Sequence, residues 1–587
     1  PVTETFTDAI GRVTNTVRCV WFNGSRDAAY APLVTSTEYP YGTDGYSVTT
    51  DPLGGQTVSR KYYGSNCGIE ETASAGVTNR VTKYWGGDTV TEKFWDGKWT
   101  RETRSASYDA SGCRVETVTE ESSDYPARIA SVTARDFLGR AVSVTTPLGV
   151  TSNFYDGASD RLVRKAETGK PDTIYSYDEM GNLTATALDV NANGVIDYAG
   201  TDRISATRET YEEDDSNVWW RVTASTVWNQ TGVDAGLTSA VIRVRMTGLG
   251  TPAPAALGLS GGAILTAQRE SVDWRGNVTR ASTYTDAGAA TVWTVTETPG
   301  SDQPAIQKTV AGLTVSMVSS TAVTNTYTFD GFGRQVSATD GRGNTSLTAY
   351  NELGLVAYTE DAASNRTAYA YDASGRQNAV TPPLSNTVFT AYDSLGNVTA
   401  QWGGTYPIEY GYDTRGRKIS MKTFRVENGN GDETRWLYDN ATGLLTNKVF
   451  ADGSRVSYTY TPDGKLATRV WARGVETAYA YDVLGQLSGI VYSDATPDVA
   501  FAYDRLGRVL SAVTAVSSNL FEYTGLDLVG EVQNGAAITR TYDGLGRPAG
   551  FNMGSAYTAA YGYDTFGRFA SVSSSVASVS SVANYSY

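Results

Sequence analysis

A six-residue pattern recurs through the second half of the chain: an aromatic residue, Asp, two variable residues, Gly and often Arg. From Gly333 to Gly567 the successive glycines of this pattern lie 16 to 27 residues apart, which is 234 residues over 11 steps, or about 21 on average. The clearest copies carry Gly333, Gly375, Gly396, Gly416, Gly507, Gly546 and Gly567. So regular a series indicates one repeating architecture rather than several unrelated domains.

Each copy of the pattern predicts the tip of a β-hairpin. The Asp accepts backbone N–H groups of the turn, and the Gly supplies the positive φ of a type I turn closed by a bulge. A second small turn, such as the one over residues 340–343, precedes the next aromatic residue. One unit is therefore two short strands and two turns, with the glycines as structural turn residues. We expect the Arg to pair with the turn Asp or to pack on a Tyr of the next unit.

The aromatic residue that ends a unit usually has an aromatic partner two residues earlier, as in Tyr369 and Tyr371. Residues i and i+2 share one face of a strand, so successive units would stack a double stripe of rings. We interpret this stripe as packing between units rather than as a row of sugar-stacking platforms.

The predicted fold class is all-β, a hairpin spiral or solenoid with about 28 units of about 21 residues. A period of 21 is also half of a propeller blade, but about 14 blades would need two propellers and a break between them that the sequence lacks. Residues 1–320 form a degenerate repeat region with loop insertions, and residues 321–587 form the regular repeat region. We expect one continuous architecture across both.

The composition excludes much chemistry. The chain has no His, so it cannot build a Ser-His-Asp triad, an imidazole base or a His-ligated zinc site. Its formal charge is −15, whereas nucleic acids and anionic membranes select basic surfaces. The most apolar stretch, residues 249–267, is broken by Gly and Pro. We therefore predict no enzyme, no nucleic-acid partner and no membrane span.

Three cysteines, Cys19, Cys67 and Cys113, fit either one long-loop disulfide with a free thiol or three thiols. The chain begins without Met or a leader, and neither end carries charges or bends that block strand pairing. We expect the chain to continue in a longer protein or to join copies of itself end to end by strand addition.

The sharpest ligand motif runs from Asp189 to Asp197, with Asp, Asn and Asn at alternate positions and then Gly. These residues match the first nine positions of a calcium loop, in which oxygens at alternate residues converge. The twelfth position is Gly200 instead of Glu, so Asp202 or another loop would supply the missing oxygens. The predicted Ca²⁺ site comprises Asp189, Asn191, Asn193, Val195, Asp197 and Asp202. The alternative is a loop rich in Asx turns that holds no metal.

Two acidic groups and one aromatic hairpin are weaker candidates. The run Glu212 to Asp215 and the trio Glu120, Glu121 and Asp124 could bind cations or cleave glycosides, but adjacent loop acids are usually only solvated. The Asp-Gly turn between Trp95 and Trp99 predicts a cross-strand pair of these rings, structural rather than a carbohydrate platform.

The series of Tyr-Asp-x-x-Gly-Arg tips resembles the YD repeats of the RHS family, found in bacterial insecticidal toxin complexes, polymorphic toxins and animal teneurins. The resemblance is strict over residues 329–568 and loose before them. It implies a β-sheet strip that spirals into a hollow shell, secreted or on a cell surface, whose chemistry resides in cargo or appended domains. The Asp-Pro-rich autoproteolytic segment that ends such a shell, and the cargo after it, are not in this sequence.

The sequence thus favours a non-enzymatic structural shell or filament of a secreted or cell-surface bacterial protein, self-assembling or part of a longer chain. One alternative is a fragment of the encapsulating cage of a toxin. A second alternative is a surface protein that binds glycans through its Trp residues. Cage and filament use the same turns, so sequence does not separate them.

Overall fold

A computed structural model describes residues 2–19, 21–22, 25–26, 32–39, 46–52, 54–425, 429–576 and 579–586. Over these residues the chain forms 51 strands and one short 3₁₀ helix, and no α-helix. Forty-nine strands belong to one antiparallel sheet in which neighbours along the chain pair with each other, and two strands form a separate small hairpin. The all-β hairpin prediction is therefore confirmed.

The strands in chain order are β1 (Val2–Thr7), β2 (Val13–Cys19), β3 (Trp21–Phe22), β4 (Ser25–Arg26), β5 (Leu33–Glu38), β6 (Tyr46–Thr50), β7 (Gln56–Tyr63), β8 (Cys67–Ser74), β9 (Val77–Tyr84), β10 (Thr89–Trp95), β11 (Lys98–Tyr108), β12 (Arg114–Ser122), β13 (Arg128–Arg135), β14 (Ala141–Thr146), β15 (Gly149–Tyr155), β16 (Leu162–Glu167), β17 (Asp172–Tyr177), β18 (Leu183–Asp189), β19 (Arg203–Glu213), β20 (Trp219–Val227), β21 (Leu237–Arg245), β22 (Ile264–Asp273), β23 (Val278–Asp286), β24 (Thr291–Glu297), β25 (Ala305–Val310) and β26 (Leu313–Val318). The chain continues with β27 (Thr324–Phe329), β28 (Gln335–Thr339), β29 (Thr345–Tyr350), β30 (Val356–Glu360), β31 (Arg366–Tyr371), β32 (Gln377–Thr381), β33 (Val388–Tyr392), β34 (Val398–Gly403), β35 (Ile408–Tyr412), β36 (Lys418–Thr423), β37 (Asp432–Tyr438), β38 (Leu445–Val449), β39 (Arg455–Tyr460), β40 (Leu466–Val470), β41 (Glu476–Tyr481), β42 (Leu487–Tyr492), β43 (Val499–Tyr503), β44 (Val509–Val513), β45 (Ser518–Thr524), β46 (Asp527–Gln533), β47 (Ala536–Tyr542), β48 (Pro548–Asn552), β49 (Tyr557–Tyr563), β50 (Phe569–Val576) and β51 (Val579–Ser586). The 3₁₀ helix covers Ala255–Leu257.

The chain divides into two compact units. Unit 1 contains residues 1–152, 328–339 and 343–474, and unit 2 contains residues 153–327, 340–342 and 475–587. Each unit combines an early stretch of chain with a late one, which we call its first and second series of strands. The units therefore cut across the sequence division at residue 320.

Turns alternate between two edges of the sheet, because each strand runs antiparallel to the next. We call the edge that carries the second-series Asp-x-x-Gly turns the tip edge. The opposite edge, which carries turns such as those at 361–364 and 382–385, is the return edge.

Among the described residues, the clusters of buried apolar side chains lie in unit 2, where long loops fold back onto the sheet. The loop before β22 covers a cluster of Ala263, Leu265, Tyr284, Trp293 and Val295. Elsewhere many strands are half-buried along their whole length, β30 and β38 among them. In these strands both faces of the sheet remain partly accessible.

No helix among the described residues is long and apolar enough to cross a membrane.

Candidate functional site

The hairpin tips are built by three neighbouring residues. In the tip over residues 372–376, Asp372 Oδ1 accepts the backbone N–H of Ser374 at 2.9 Å and that of Arg376 at 3.0 Å. Its other oxygen, Oδ2, accepts Arg376 Nε at 2.7 Å. Burial raises the pKa of Asp372, but the hydrogen bonds from Arg376 outweigh it and hold this pKa below the usual value of an aspartic acid. The turn is thus closed by one carboxylate.

The glycine of each tip has a positive φ, a backbone conformation that is strained in residues with a side chain. The φ angles are 77° at Gly333, 76° at Gly375, 89° at Gly396, 73° at Gly416, 87° at Gly507, 81° at Gly546 and 77° at Gly567. In the degenerate tip at Asp214, Asn217 takes the same position with a φ of 54°, and in the return-edge turn 361–364 Ser364 takes the corresponding position with a φ of 64°. These turns therefore use the left-handed region whichever residue occupies it.

The aromatic residue of one tip is tied to the unit before it. Tyr371 donates its hydroxyl to the carbonyl of Val356 at 2.8 Å, and Arg376 lies 4.9 Å from the ring centre of Tyr392 in the following unit. The same hydroxyl-to-carbonyl bond recurs from Tyr177, Tyr350, Tyr392, Tyr412, Tyr438, Tyr460, Tyr503, Tyr523, Tyr542 and Tyr563. Both roles expected for the Arg, pairing with Asp and packing on Tyr, occur.

In unit 1 the second-series tips meet return-edge turns of the first series. Ser394 donates its hydroxyl to Asp96 Oδ1 at 2.7 Å. Tyr125 donates its hydroxyl to Asp413 Oδ2 at 2.8 Å, and Thr414 donates its backbone N–H to Asp124 at 2.8 Å. Burial, and next the bond to Asp413, raise the pKa of Tyr125. The partners in these bonds lie 288 to 298 residues apart.

In unit 2 the corresponding contact is made by a buried arginine, Arg505. This residue is 8% exposed and occupies the first variable position of its tip. Its guanidinium donates to the backbone carbonyls of Asp197, Tyr198, Asp202 and Gln230 at 2.6 to 3.0 Å. Burial lowers the pKa of Arg505 while Asp202 and Asp197 oppose that shift. The guanidinium thereby satisfies four loop carbonyls at once.

The loop predicted to bind calcium is held together by its own carboxylates. Asp189 accepts the N–H of Asn193 at 3.1 Å and that of Gly194 at 2.7 Å. Asp202 is fully buried and accepts the N–H groups of Val190 and Asp197.

The remaining loop positions show the same local bonding. Asn193 Oδ1 accepts the N–H of Val195, whose side chain is exposed, and Asn191 Nδ2 donates to Asp197. Within the described ranges no group of three or more acidic or Cys side chains converges in a way that could hold a metal ion. Calcium binding stays a prediction.

Several of the acidic candidates have structural partners. Glu120 pairs with Arg128 at 2.9 Å and Glu121 with Arg101 at 2.7 Å. Asp214 starts a tip, and its oxygens accept the N–H groups of Ser216 and Val218 and the indole N–H of Trp220. Asp124 and Asp214 are thus turn and contact residues as well as solvated acids.

The prediction that Trp95 and Trp99 form a cross-strand pair is wrong, because the register of the two strands does not place them opposite each other. A two-residue turn places Trp95 opposite Lys98 and Trp99 opposite Phe94. Trp95 is buried, and Trp99 has Arg101 over its ring at 5.4 Å.

Cys67 is buried and Cys113 half-buried, and both are free thiols in the described part of the chain. The side chain of Cys19 lies outside the described residues.

Sequence reasoning missed the two variable positions of each tip. Ser394, Thr414 and Arg505 occupy the first of them, and they make the bonds between the two series. Polar side chains at this position were the available signal, but Glu352 and Thr565 stand at the same position in other tips. It could not have named their partners, which lie about 300 residues away.

Comparison with known proteins gives similarity only at the level of solved structures. No protein-family model matches the chain. No curated protein matches it either.

Among solved structures, the chain is similar to a TcdB2-TccC3 structure without its hypervariable C-terminal region, with 9% identity and a TM-score of 0.36, over 98% of this chain and 48% of that one. It is also similar to TcdB2-TccC3, with 10% identity and a TM-score of 0.27, over 98% and 46%. A third similar structure is the Tc holotoxin pore of Photorhabdus luminescens, with 10% identity and a TM-score of 0.28, over 98% and 48%. The chain spans about half the length of the chains it matches.

Proposed function

We propose that the chain is a non-enzymatic structural wall, one stretch of the encapsulating shell of a secreted or cell-surface bacterial protein of the toxin-complex type. The observation that carries this proposal is the edge-to-edge contact of the two series inside each unit. Hydrogen-bonded partners across this contact lie 288 to 314 residues apart in unit 1 and 252 to 308 in unit 2. Because the second series of strands lies edge to edge with the first, the strip of hairpins forms a continuous surface, as a wall requires.

The burial of the strands supports a wall better than a compact core. In β30, β38 and β40 every residue is half-buried, so neither face is closed off by a second layer over these strands. A globular domain instead buries one face of its sheet deeply. A sheet with two accessible faces can separate an interior from an exterior.

The tips supply the stiffness that such a wall needs. Each Asp closes its own turn, and each Tyr hydroxyl binds the preceding unit. Neighbouring units are thus coupled in one dimension, which is how repeat proteins gain stability.

Negative-stain images of the 587-residue chain test the proposal. We expect curved or closed shell segments. Long rods or tubes would favour the filament hypothesis instead, and compact globules would contradict any wall. A variant combining Tyr125→Phe with Ser394→Ala removes two bonds between the series and keeps the tips, so it should retain its β-sheet circular dichroism while its particles lose their regular outline.

The absence of catalysis is part of the proposal. Purified chain should not hydrolyse glycosides or peptides. Turnover that disappears on replacing Glu212 or Asp214 would contradict it, provided that an Asp215→Ala control keeps the activity.

Glycan binding is the second candidate, because one aromatic pair is partly exposed. Phe389 and Trp402 stack with ring centres 5.7 Å apart on facing strands, and each keeps more than a third of its surface exposed. Glycan-array binding lost in Trp402→Ala but kept in Trp436→Ala would support this candidate.

A further inference from the structure

A polar cleft lies within unit 1, where a second-series tip meets the first-series strands β9 to β12. Its volume is about 520 Å³, which is in the range of small-molecule binding sites. One row of its floor follows from the strand register, which places these residues directly opposite one another: Asn79, Lys93, Thr100 and Ser122. Residues two apart share a strand face, so a second row lies beside the first: Thr91, Glu102, Glu120 and Arg128.

Arg415 forms the side of the cleft that belongs to the second series. It follows Thr414, whose hydroxyl donates to Ser122 Oγ at 2.8 Å. The Arg415 guanidinium lies 4.7 Å from the ring centre of Tyr125 and donates to the carbonyl of Asn440 at 3.2 Å. The contact between the two series therefore holds this guanidinium beside the floor of the cleft.

The cleft carries two positive charges without a carboxylate partner. Its three glutamates are each paired with an arginine: Glu102 with Arg104 at 2.6 Å, Glu120 with Arg128 at 2.9 Å and Glu121 with Arg101 at 2.7 Å. Lys93 and Arg415 form no ion pair with any described residue. The cross-strand neighbours of Lys93 are Asn79 and Thr100, which are neutral. A local excess of positive charge is unexpected in a chain of formal charge −15.

Two further observations are consistent with a bound anion. Burial, and next the positive charges of Arg128 and Arg417, lower the pKa of Arg415. A nearby negative charge would relieve this repulsion. In addition, Arg128 Nε is buried and has no hydrogen-bond partner among the described residues, whereas buried donors are rarely left without an acceptor.

The glutamates narrow the chemistry of the ligand. Glu102 and Glu120 lie directly opposite each other, so a compact anion of high charge would be repelled from the floor. Their free lone pairs can instead accept hydroxyl groups. The exposed side chains of Asn79 and Thr91 add further hydrogen-bonding groups. A small molecule with one carboxylate and several hydroxyl groups satisfies all of these conditions.

We propose that this cleft binds an acidic sugar. Lys93 and Arg415 bind its carboxylate, and Glu102, with the amide of Asn79, binds its hydroxyl groups. The site goes beyond the proposed wall function and uses none of the residues of the exposed aromatic pair Phe389 and Trp402.

Calorimetric titration with three probes tests the ligand class. Digalacturonate carries carboxylates and hydroxyl groups, digalactose carries hydroxyl groups alone, and inorganic phosphate is a compact anion. We expect digalacturonate to bind at least about tenfold more tightly than either of the others, because each lacks one kind of contact. Its affinity should also fall as salt is added, since the two cations are screened.

Variants test the two cations. Lys93→Met should weaken digalacturonate binding about tenfold, the loss expected for one charge-assisted hydrogen bond. Lys93 has no ion pair to lose, so this variant should keep the denaturant midpoint of wild type, which separates binding from folding. Arg415→Met should weaken binding similarly. The control Lys83→Met removes an exposed lysine at the far end of β9 and should bind like wild type, as should Trp402→Ala.

Three outcomes would overturn the site: no heat from wild type with digalacturonate, equal affinities for the acidic and the neutral sugar, or an unchanged affinity in Lys93→Met. Phosphate that binds more tightly than digalacturonate would overturn the sugar as the ligand. The wall function is tested separately by the images, so a wall-like outline without sugar binding would contradict only the cleft.

Discussion

The aspartate of each tip closes the turn of its unit through several bonds to one side chain. It binds two backbone N–H groups and the Arg guanidinium within five residues, as Asp543 does through Leu545 and Arg547. Carboxylates held by several such donors favour their charged form. The glycine of the tip completes the turn with a positive φ, which costs other residues conformational free energy.

Replacing Gly375 or Gly416 by Val should destabilise unit 1. Both glycines have a φ above 70°, which a β-branched side chain resists at a cost of about 1–3 kcal/mol. Gly544 lies in the same kind of tip without a positive φ and with open space at its Cβ, so Gly544→Ala is the control. Denaturant melts measure the difference, and equal midpoints for Gly416→Val and wild type would contradict the turn assignment.

Acid should loosen the tips. The pKa of Asp372 and that of Asp543 are held below the usual value of an aspartic acid: burial raises each pKa, but the hydrogen bonds of the following Arg outweigh it. A depressed folded pKa contributes stability above the unfolded value and loses it as pH falls through the folded pKa. We expect the denaturant midpoint to fall below about pH 4. Asp372→Asn should be weaker at neutral pH and less sensitive to acid, and an unchanged pH profile would contradict this.

At the scale of elements, the long loops bury apolar side chains, which the regular hairpins leave half-buried. Long connections in unit 2 fold onto the sheet and form its small apolar clusters, as Trp228 does with Ala187 and Ile204. The carbonyl groups of the loop from Asp189 to Asp202 also bind the guanidinium of Arg505. The loop predicted to bind calcium is therefore a contact site between the two series.

Calcium should bind this loop weakly, in the range of about 10⁻⁴ to 10⁻³ M typical of extracellular modules. Its carboxylates already accept N–H groups, so only their remaining lone pairs are available for a cation. Calorimetric titration should show heat for wild type and none for Asp189→Ala. Asp215→Ala removes an exposed acid outside the loop and should leave the heat unchanged. No heat from wild type would remove the site.

Arg505→Met should open the same loop. Four carbonyls lose their donor, and an unsatisfied buried group costs about 1–3 kcal/mol. Hydrogen exchange at the amides of Val190 and Asp197 should accelerate. Arg221→Met, which removes an exposed arginine, should not change it. Equal hydrogen exchange in both variants would show that the structure of this loop does not depend on Arg505.

At the scale of the whole molecule, the chain uses two kinds of contact. Backbone ladders join strands that are neighbours in sequence, while side chains of the tips join strands about 300 residues apart. The first kind is continuous and the second is made at separate points. Stability between the series should therefore respond to single side chains.

Tyr125→Phe should weaken the docking of the two series in unit 1. It removes a hydroxyl bonded to Asp413, and hydrogen bonds to charged groups contribute about 1.5–3 kcal/mol, an upper bound here because Tyr125 is half-buried. Tyr62→Phe, at an exposed ring, is the control. The Thr414 hydroxyl donates to Ser122 Oγ at 2.8 Å in the same contact, so a double-mutant cycle with Thr414→Ala should show coupling. Additive effects would contradict it.

The hairpin unit could be predicted from the sequence, since Asp, Gly and Arg act within five residues and their geometry is local. The period of about 21 residues likewise predicted the all-β class. The edge on which each turn lies, and the residues that the turn contacts, became known only from the three-dimensional fold. The turns at Asp51 and Asp273 keep the pattern, yet they lie on the return edge, because an odd number of strand connections separates them from the tips at Asp109 and Asp178. The partners of Ser394, Thr414 and Arg505 were equally hidden, because they depend on where the chain returns about 300 residues later, and no local rule encodes that distance.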